Sequence, residues 1–482
     1  MNKPVKTQLA ILSSAILLAA CNGGSSSSSS ATSDRTVQGT VDGFGSVIVN
    51  GVHYQSSNAD FSIDDKAGAE SDLQVGQVVT IVGSDDGSEG VALSITYDVG
   101  VEGPVSSVDL AASSFVVLGQ TVLFDAMTVF KGMTEAELIA GANVEVSGYT
   151  DGNGQIRATF VKADDSGEAE LRGRISALDE GTKTFLVGSQ SVSYASVTEL
   201  DLDGAALAND LWVEVEGQMD AGVLVADKIE AEDEHDFGDH EGEAKLNGYI
   251  TALAEGSITV GGTQVSFDAS TEFEHGSAAD LTLNTFVKVE GEVSADGVML
   301  ADEIEFESQV KLEVEGPVTA VTENSVSVMG VTASVDTRTR IRDERDDITY
   351  FNLTDVGVGD YLELRLSLEA DGSLRALRLE RDEADTEVKV TAPVESLDLA
   401  ASTITMLGVT VDMSAITGVD LSALVAGSYL EVEGTFDGSM IVATDAEEDD
   451  RYEDDDEDDD EHYTDAEEDD RYEDDDEDDD EH

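Results

Sequence analysis

The residues able to do chemistry are few once the carboxylates are set aside. The 482-residue chain has six histidines, His53, His235, His240, His275, His462 and His482, and one cysteine, Cys21, against 105 Asp and Glu. A hydrolase triad needs a nucleophile beside a histidine that an acid orients. Serines and acids are so widespread here that their nearness to a histidine in sequence carries no information. The chain contains no nucleophile elbow, phosphate-binding loop, zinc-protease helix or dinucleotide fingerprint. The expectation is a protein that is not an enzyme and has no cofactor.

Two segments could take cations. "EAEDEHDFGDHEGE", Glu230 to Glu243, holds eight acids and two histidines. His235, Asp236, Asp239 and His240 are its best-placed metal donors. Zinc wants a fixed tetrahedral set held by outer hydrogen bonds, and a glycine-bearing loop is poorly preorganised for that, so a solvated acidic linker is the simpler reading. The second segment is the C-terminus. Residues 444–462 read "TDAEEDDRYEDDDEDDDEH", fourteen acids and one arginine, and 464–482 repeat them letter for letter. Such a run self-repels and buries no core, so disorder is expected from residue 444 onward. It lacks the glycine and spaced ligands of an EF-hand loop. Weak binding of many Ca²⁺ or Mg²⁺ ions is the cation chemistry it fits.

The N-terminus has Lys3 and Lys6, then an apolar run from Leu9 to Ala20 ending "LAAC". That run is signal-peptide length and too short for a membrane span. The ending resembles the bacterial lipobox, which implies lipid attachment at Cys21, and Asn22 after it favours the outer membrane. "NGGSSSSSSATS" follows as a flexible tether. The expected location is the bacterial cell envelope, with the folded body anchored to a membrane through its N-terminal lipid.

Net charge is −80. A polyanion of this size is repelled by nucleic acid and attracts cations and basic partners. One unit departs locally: residues 309–383 hold eight arginines, with Arg338, Arg340 and Arg342 at period two. A solvated charged face is the favoured reading of these, and a docking site for the acidic tail the sharper one.

What must position all this is a repeat. "VEVEG" at Val213 recurs as "VEVSG" at Val144, "VKVEG" at Val287 and "LEVEG" at Leu430. Alternation puts the valines inside and the glutamates in water. Each copy leads into a turn, usually Asp-Gly, which suits a two-residue hairpin; the third unit reads Asp220-Ala221-Gly222 instead. About 64 to 76 residues separate successive opening strands, at Gly39, Gly103, Gly173, Gly248, Gly316 and Ala392. Pro104, Pro317 and Pro393 each follow that anchor. Proline has no N–H for a ladder, so a bulge or unpaired edge is predicted there. Five or so short strands per unit indicate an all-β chain of about six tandem small β-barrels, OB-like or SH3-like. Units of this size are marginal alone and should pack on one another.

The pattern "G.V..V....f.V.g..v", then "l..G..VeVeG....dG.l.A..Ie", resembles the DUF5666 repeat of exported bacterial proteins, from about Thr36 to Ala443. The resemblance implies a repeated β fold and no catalytic residues. The fifth unit departs most, its "LELRLSL" lacking the closing glycine. The layout that results is a signal at 1–20, a tether at 21–35, repeats at 36–98, 99–166 and 167–232, a linker at 233–243, repeats at 244–308, 309–383 and 384–443, and a tail at 444–482. The expected role is a scaffold or spacer whose acidic surface meets cations or a cationic protein partner. Barrels that bind a glycan or peptide are the alternative, and an enzyme with a site between repeats the remaining one.

Overall fold

The computed structural model describes residues 35–202, 204–231, 242–307, 312–369 and 371–448. Cys21, the linker donors His235, Asp236, Asp239 and His240, and most of the acidic tail lie outside these residues. The described chain is strand throughout, apart from turns and four single-turn 3-10 helices.

Each unit closes a ring of five strands. In the second unit the first strand, Val101–Asp109, pairs with the hairpin Ser114–Val117 and Gln120–Leu123. The second strand of that hairpin pairs in parallel with the final strand, Ile156–Ala163. The final strand runs antiparallel to the closing strand, Asn143–Thr150, which returns to the first. A short extra strand, Val129–Lys131, extends the ring beside the final strand. The same order recurs in the other five units, the sixth without the extra strand and with its first strand interrupted after Pro393. Ring closure leaves no long free edge, and the order is that of an OB-like barrel.

Alternation sets the cores as the sequence implies. Val144 and Val146, Val213 and Val215, Val287 and Val289, and Leu430 and Val432 are all buried inward from the closing strands. The glutamates between them do not all reach water. Glu145 and Glu214 are 7% and 2% exposed, because other barrels pack over them. The solvated outer face expected for this strand is therefore only partly correct.

First strands also join barrels into pairs. The second and third pair antiparallel, Val101 opposite Leu171, and the fifth and sixth likewise, Val314 opposite Val390. All four residues point inward, so each pair shares one continuous core. The first and fourth barrels pair in parallel, with Val37 beside Lys245. An inward residue of one thus neighbours an outward residue of the other, and their cores stay separate.

The closing glycine has a specific cause. The ladder to the final strand bulges at Gly148, where a Cβ would lie 2.1 Å from the carbonyl oxygen of Arg157. Gly217, Gly291 and Gly434 meet the same obstruction. In the fifth unit the bulge persists between Arg365 and Leu366 without a glycine.

The turn after the closing strand corrects an expectation. Asp86-Gly87 and Asp437-Gly438 sit in loops closed by Asp86 N–H to Glu89 and Asp437 N–H to Met440, and Asp151-Gly152 in a longer loop whose left-handed residue is Gly154. Among the described residues only the third unit makes a two-residue turn, Ala221-Gly222, with both φ positive. The Asp side chain caps the longer loops: Asp86 Oδ1 accepts from the N–H groups of Ser88 and Glu89.

At the proline position the following residue takes both bonds to the closing side. Val105 N–H donates to Ala142 and its carbonyl accepts from Gly141, with the same pair at Val318 and Val394. Alternation then turns the proline position away from the closing strand. In the first five units the predicted bulge comes just beyond, between Val105 and Ser107 in the second. At the C-terminus the final strand runs Met440–Glu448 with Ala446 in the core, five residues into the segment expected to be disordered. Val432 supplies the partner that holds Ala446 there.

Candidate functional site

Polar groups converge at the seams between barrels. In the fifth barrel Arg340, Arg378 and Arg365 lie side by side on three adjacent strands. They meet the turn before the extra strand of the second barrel. Arg365 and Arg378 donate to the carbonyl of Ala126, at 3.2 and 3.0 Å, and Arg340 donates to that of Met127 at 2.9 Å. Carboxylates surround them: Glu313 on Arg365, Glu380 on Arg378, and Asp42 of the first barrel 3.7 Å from Arg340. Arg381 pairs with Asp343 at 2.7 Å and stacks on Phe351, 4.2 Å from the ring centre. Burial opposes ionisation of Glu380, but the charge of Arg378 beside it wins and holds its carboxyl down to about 2. The arginines are therefore not a solvated face, and Arg340 and Arg378 are only 8% and 7% exposed. Arg338 alone of the period-two set keeps an exposed side chain.

A second seam is built from acids. Across four adjacent strands of the second and third barrels, Glu145, Glu102, Glu170 and Glu216 lie directly opposite one another. Lys162 and Lys228 end the row. The first barrel covers it. Tyr97 donates its hydroxyl to Glu145 at 2.7 Å, and Val78 N–H donates to Ser147 at 2.9 Å. The turn at Asp64 and Asp65, both with positive φ, reaches the other end. Burial, with Asp64 next, pushes Glu170 up to about 10. Burial also pushes Glu102 up to about 7, against a hydrogen bond from Ser166 that favours its charge.

Among the described residues three groups have ligand atoms close enough to hold a metal ion. Asp65, Glu214 and Glu216 already hold a cation: the Lys228 ammonium lies 2.8, 3.1 and 2.7 Å from them. In the group of Glu344, Glu380 and Asp382, the two glutamates share Arg342, 3.0 Å from both. Burial and neighbouring acids push Glu344 up to about 8 and Asp382 up to about 7. Glu274, His275 and Glu305 form the third group, the first two exposed and Glu305 half-buried, with His275 Nδ1 3.7 Å from Glu305. The other described histidine, His53, has Nδ1 3.2 Å from Ser46 Oγ. Glu89 is its register partner, but among the described residues no ion pair or hydrogen bond joins them. Two small cavities lie at seams. One of about 30 Å³ sits between the first, second and fifth barrels. One of about 150 Å³ is lined by Gln38, Thr80, Thr96, Asp98, Ser147 and Arg172.

Sequence reasoning drew attention to the linker histidines and missed the seams. A signal was present in the few cations: Lys162, Lys228, Lys245, Lys288 and Lys389 each stand in a first, closing or final strand of a unit. Each pairs with glutamate across or along the sheet.

A tandem array of OB-like barrels, joined at first strands and cemented by charged seams, is the class these features define. The chain belongs to the family described as "Domain of unknown function (DUF5666)", whose model matches residues 102–162, 172–230, 247–305, 315–380 and 391–447. The first barrel falls outside those matches but has the same strand order. No curated protein matches the chain. Among solved structures, Drosophila Unr CSD456 aligns at 13% identity, covering 44% of this chain and 97% of its own, with TM-score 0.12. A multidomain protein with nucleic acid binding domains from Streptococcus pneumoniae TIGR4 aligns at 10% identity, covering 43% and 72%, with TM-score 0.12.

Proposed function

We propose that this chain is a non-enzymatic scaffold of the bacterial cell envelope. It is anchored by lipid at Cys21, and its barrels hold an acidic surface toward cations or a cationic protein. The observation that carries the reading is where the convergent polar groups go. Arg340, Arg365, Arg378 and Lys228 are taken up by the seams, while carboxylates left over face outward. On the fourth barrel Glu272 is opposite Glu303 and Glu274 opposite Glu305, all on the outer side of parallel strands. Like charges in register repel and would be relieved by a cation or a basic chain. The same surface disfavours nucleic acid. Crosslinking of the full-length protein in its native envelope tests the reading: recovery of a basic protein partner supports it, and recovery of nucleic acid overturns it. A Cys21→Ser variant that still incorporated palmitate would refute the anchor.

A second reading rests on the 150 Å³ cleft, whose hydroxyl, amide and charged lining would suit a small glycan. Saturation-transfer contacts from a monosaccharide panel to this cleft would favour it over the scaffold.

A further inference from the structure

We propose that the seam between the first barrel and the second-and-third pair is a proton-held clasp, closed while Glu170 and Glu102 in the glutamate row retain protons and loosened when they ionise. The geometry supplies the reason. Glu170 stands in the middle of the row at 5% exposure, with Glu102 opposite it on one side and Glu216 on the other. From the first barrel, Asp64, Asp65 and Lys66 face it, and Lys66 lies 3.2 Å from Asp64. On its own strand Arg172 lies 3.4 Å from Glu170, but it also serves Glu214 and, at 3.7 Å, Asp98. Lys228 is committed to Asp65, Glu214, Glu216 and Glu230. At the far end Lys162 serves Glu145 at 2.6 Å, and Glu102 shares Ser166 with Asp164. Carboxylates thus outnumber cations at this interface, and every cation already has a carboxylate. Carboxylates in direct register, away from water, cannot all ionise cheaply.

The sign follows from the direction of the shifts. Burial, then Asp64, raises Glu170 to about 10, and burial raises Glu102 to about 7, from an ordinary value of 4.5. The closed seam therefore binds more protons than the open one between those limits. Its stability is complete at pH below 4.5 and falls as pH rises through 7 toward 10. No such excess is needed where arginines match the acids, so the first barrel is the part that should respond.

Hydrogen exchange of the full-length protein at pH 6 and pH 9, corrected for intrinsic rates, tests this. Amides of 60–67 should open at least tenfold more often at pH 9, with little change in the sixth-barrel hairpin 403–412. Glu170→Gln keeps the shape of the protonated side chain and should remove most of that difference. An unchanged opening of 60–67 in the wild type overturns the proposal, as does a Glu170→Gln variant with the wild-type pH response. If the variant does not fold, the wild-type comparison alone decides.

Discussion

Two seams hold this array together by opposite means. Where the fifth barrel meets the second, guanidinium groups fill the interface, donate to backbone carbonyls and are matched by carboxylates. Where the first barrel meets the second and third, four glutamates lie in register with a lysine at either end. Arginine carries a fixed planar fork of donors and does not lose its charge in proteins. A seam built on it is set by geometry. Carboxyl groups kept neutral by burial gain charge as pH rises, so a seam built on them is set by conditions. One strand grammar thus gives both a permanent joint and a conditional one, depending on which residues occupy the outward positions.

The largest test removes an arginine. Arg378→Ala takes away a donor to Ala126 and Thr128 and leaves Glu380, at 3% exposure, with Arg342 alone. Breaking a buried pair in this way costs about 3–5 kcal/mol, and urea unfolding should show it as a lowered midpoint. A loss below 1 kcal/mol would mean that the arginine seam is not a fixed joint.

Next in size is Lys228→Gln, which empties the cation position among Asp65, Glu214 and Glu216. The lysine is partly solvated, so about 1–2 kcal/mol should be lost. The three carboxylates then have the spacing for a metal ion, and millimolar Ca²⁺ should raise the melting temperature of the variant but not of the wild type. Equal Ca²⁺ responses would show that the ammonium does not occupy that position.

Acid should reverse the order in which the seams fail. Glu380 is held down to about 2 by Arg378, despite its burial. A lowered group contributes stability that is full above its ordinary 4.5 and lost as pH falls toward 2. Exchange at pH 3 should therefore open the 125–131 turn against the fifth barrel before it opens 60–67. At pH 9 the order inverts. A single order at both extremes would erase the distinction between the seams.

Much of the fold was legible because alternation and glycine position have local causes. Inward valines set the closing strand, and the bulge obstruction explains the glycine that ends it. Turn length was misjudged because Asp86 and Asp437 use their side chains as loop caps, a choice the dipeptide alone does not reveal. The seams were illegible for a different reason. Glu145 and Glu214 occupy outward positions, which read as solvent-facing until another barrel covers them. Whether a cover exists depends on first-strand pairing, parallel for the first and fourth barrels and antiparallel for the other two pairs. That choice has no counterpart in the repeated motif. The arginines of the fifth unit were visible as a composition anomaly, yet their burial followed from a turn more than 200 residues earlier.

The smallest expected effect separates cover from contact at the glutamate seam. Tyr97 is buried at 1% exposure, and its hydroxyl is one of three groups on Glu145, beside the amide of Gln77 and the ammonium of Lys162. Tyr97→Phe keeps the ring that fills the first core and removes one hydrogen bond to a carboxylate. Lys162 remains at 2.6 Å, so Glu145 stays paired. The loss should be about 1 kcal/mol, read as a small fall in the urea midpoint, with the pH dependence of exchange at 60–67 unchanged. That last condition matters because Glu145 is the row member with a lysine partner of its own, whereas Glu170 has only a shared arginine. If Tyr97→Phe altered the pH response as strongly as Glu170→Gln, the clasp would depend on its Tyr97–Glu145 end as much as on its centre.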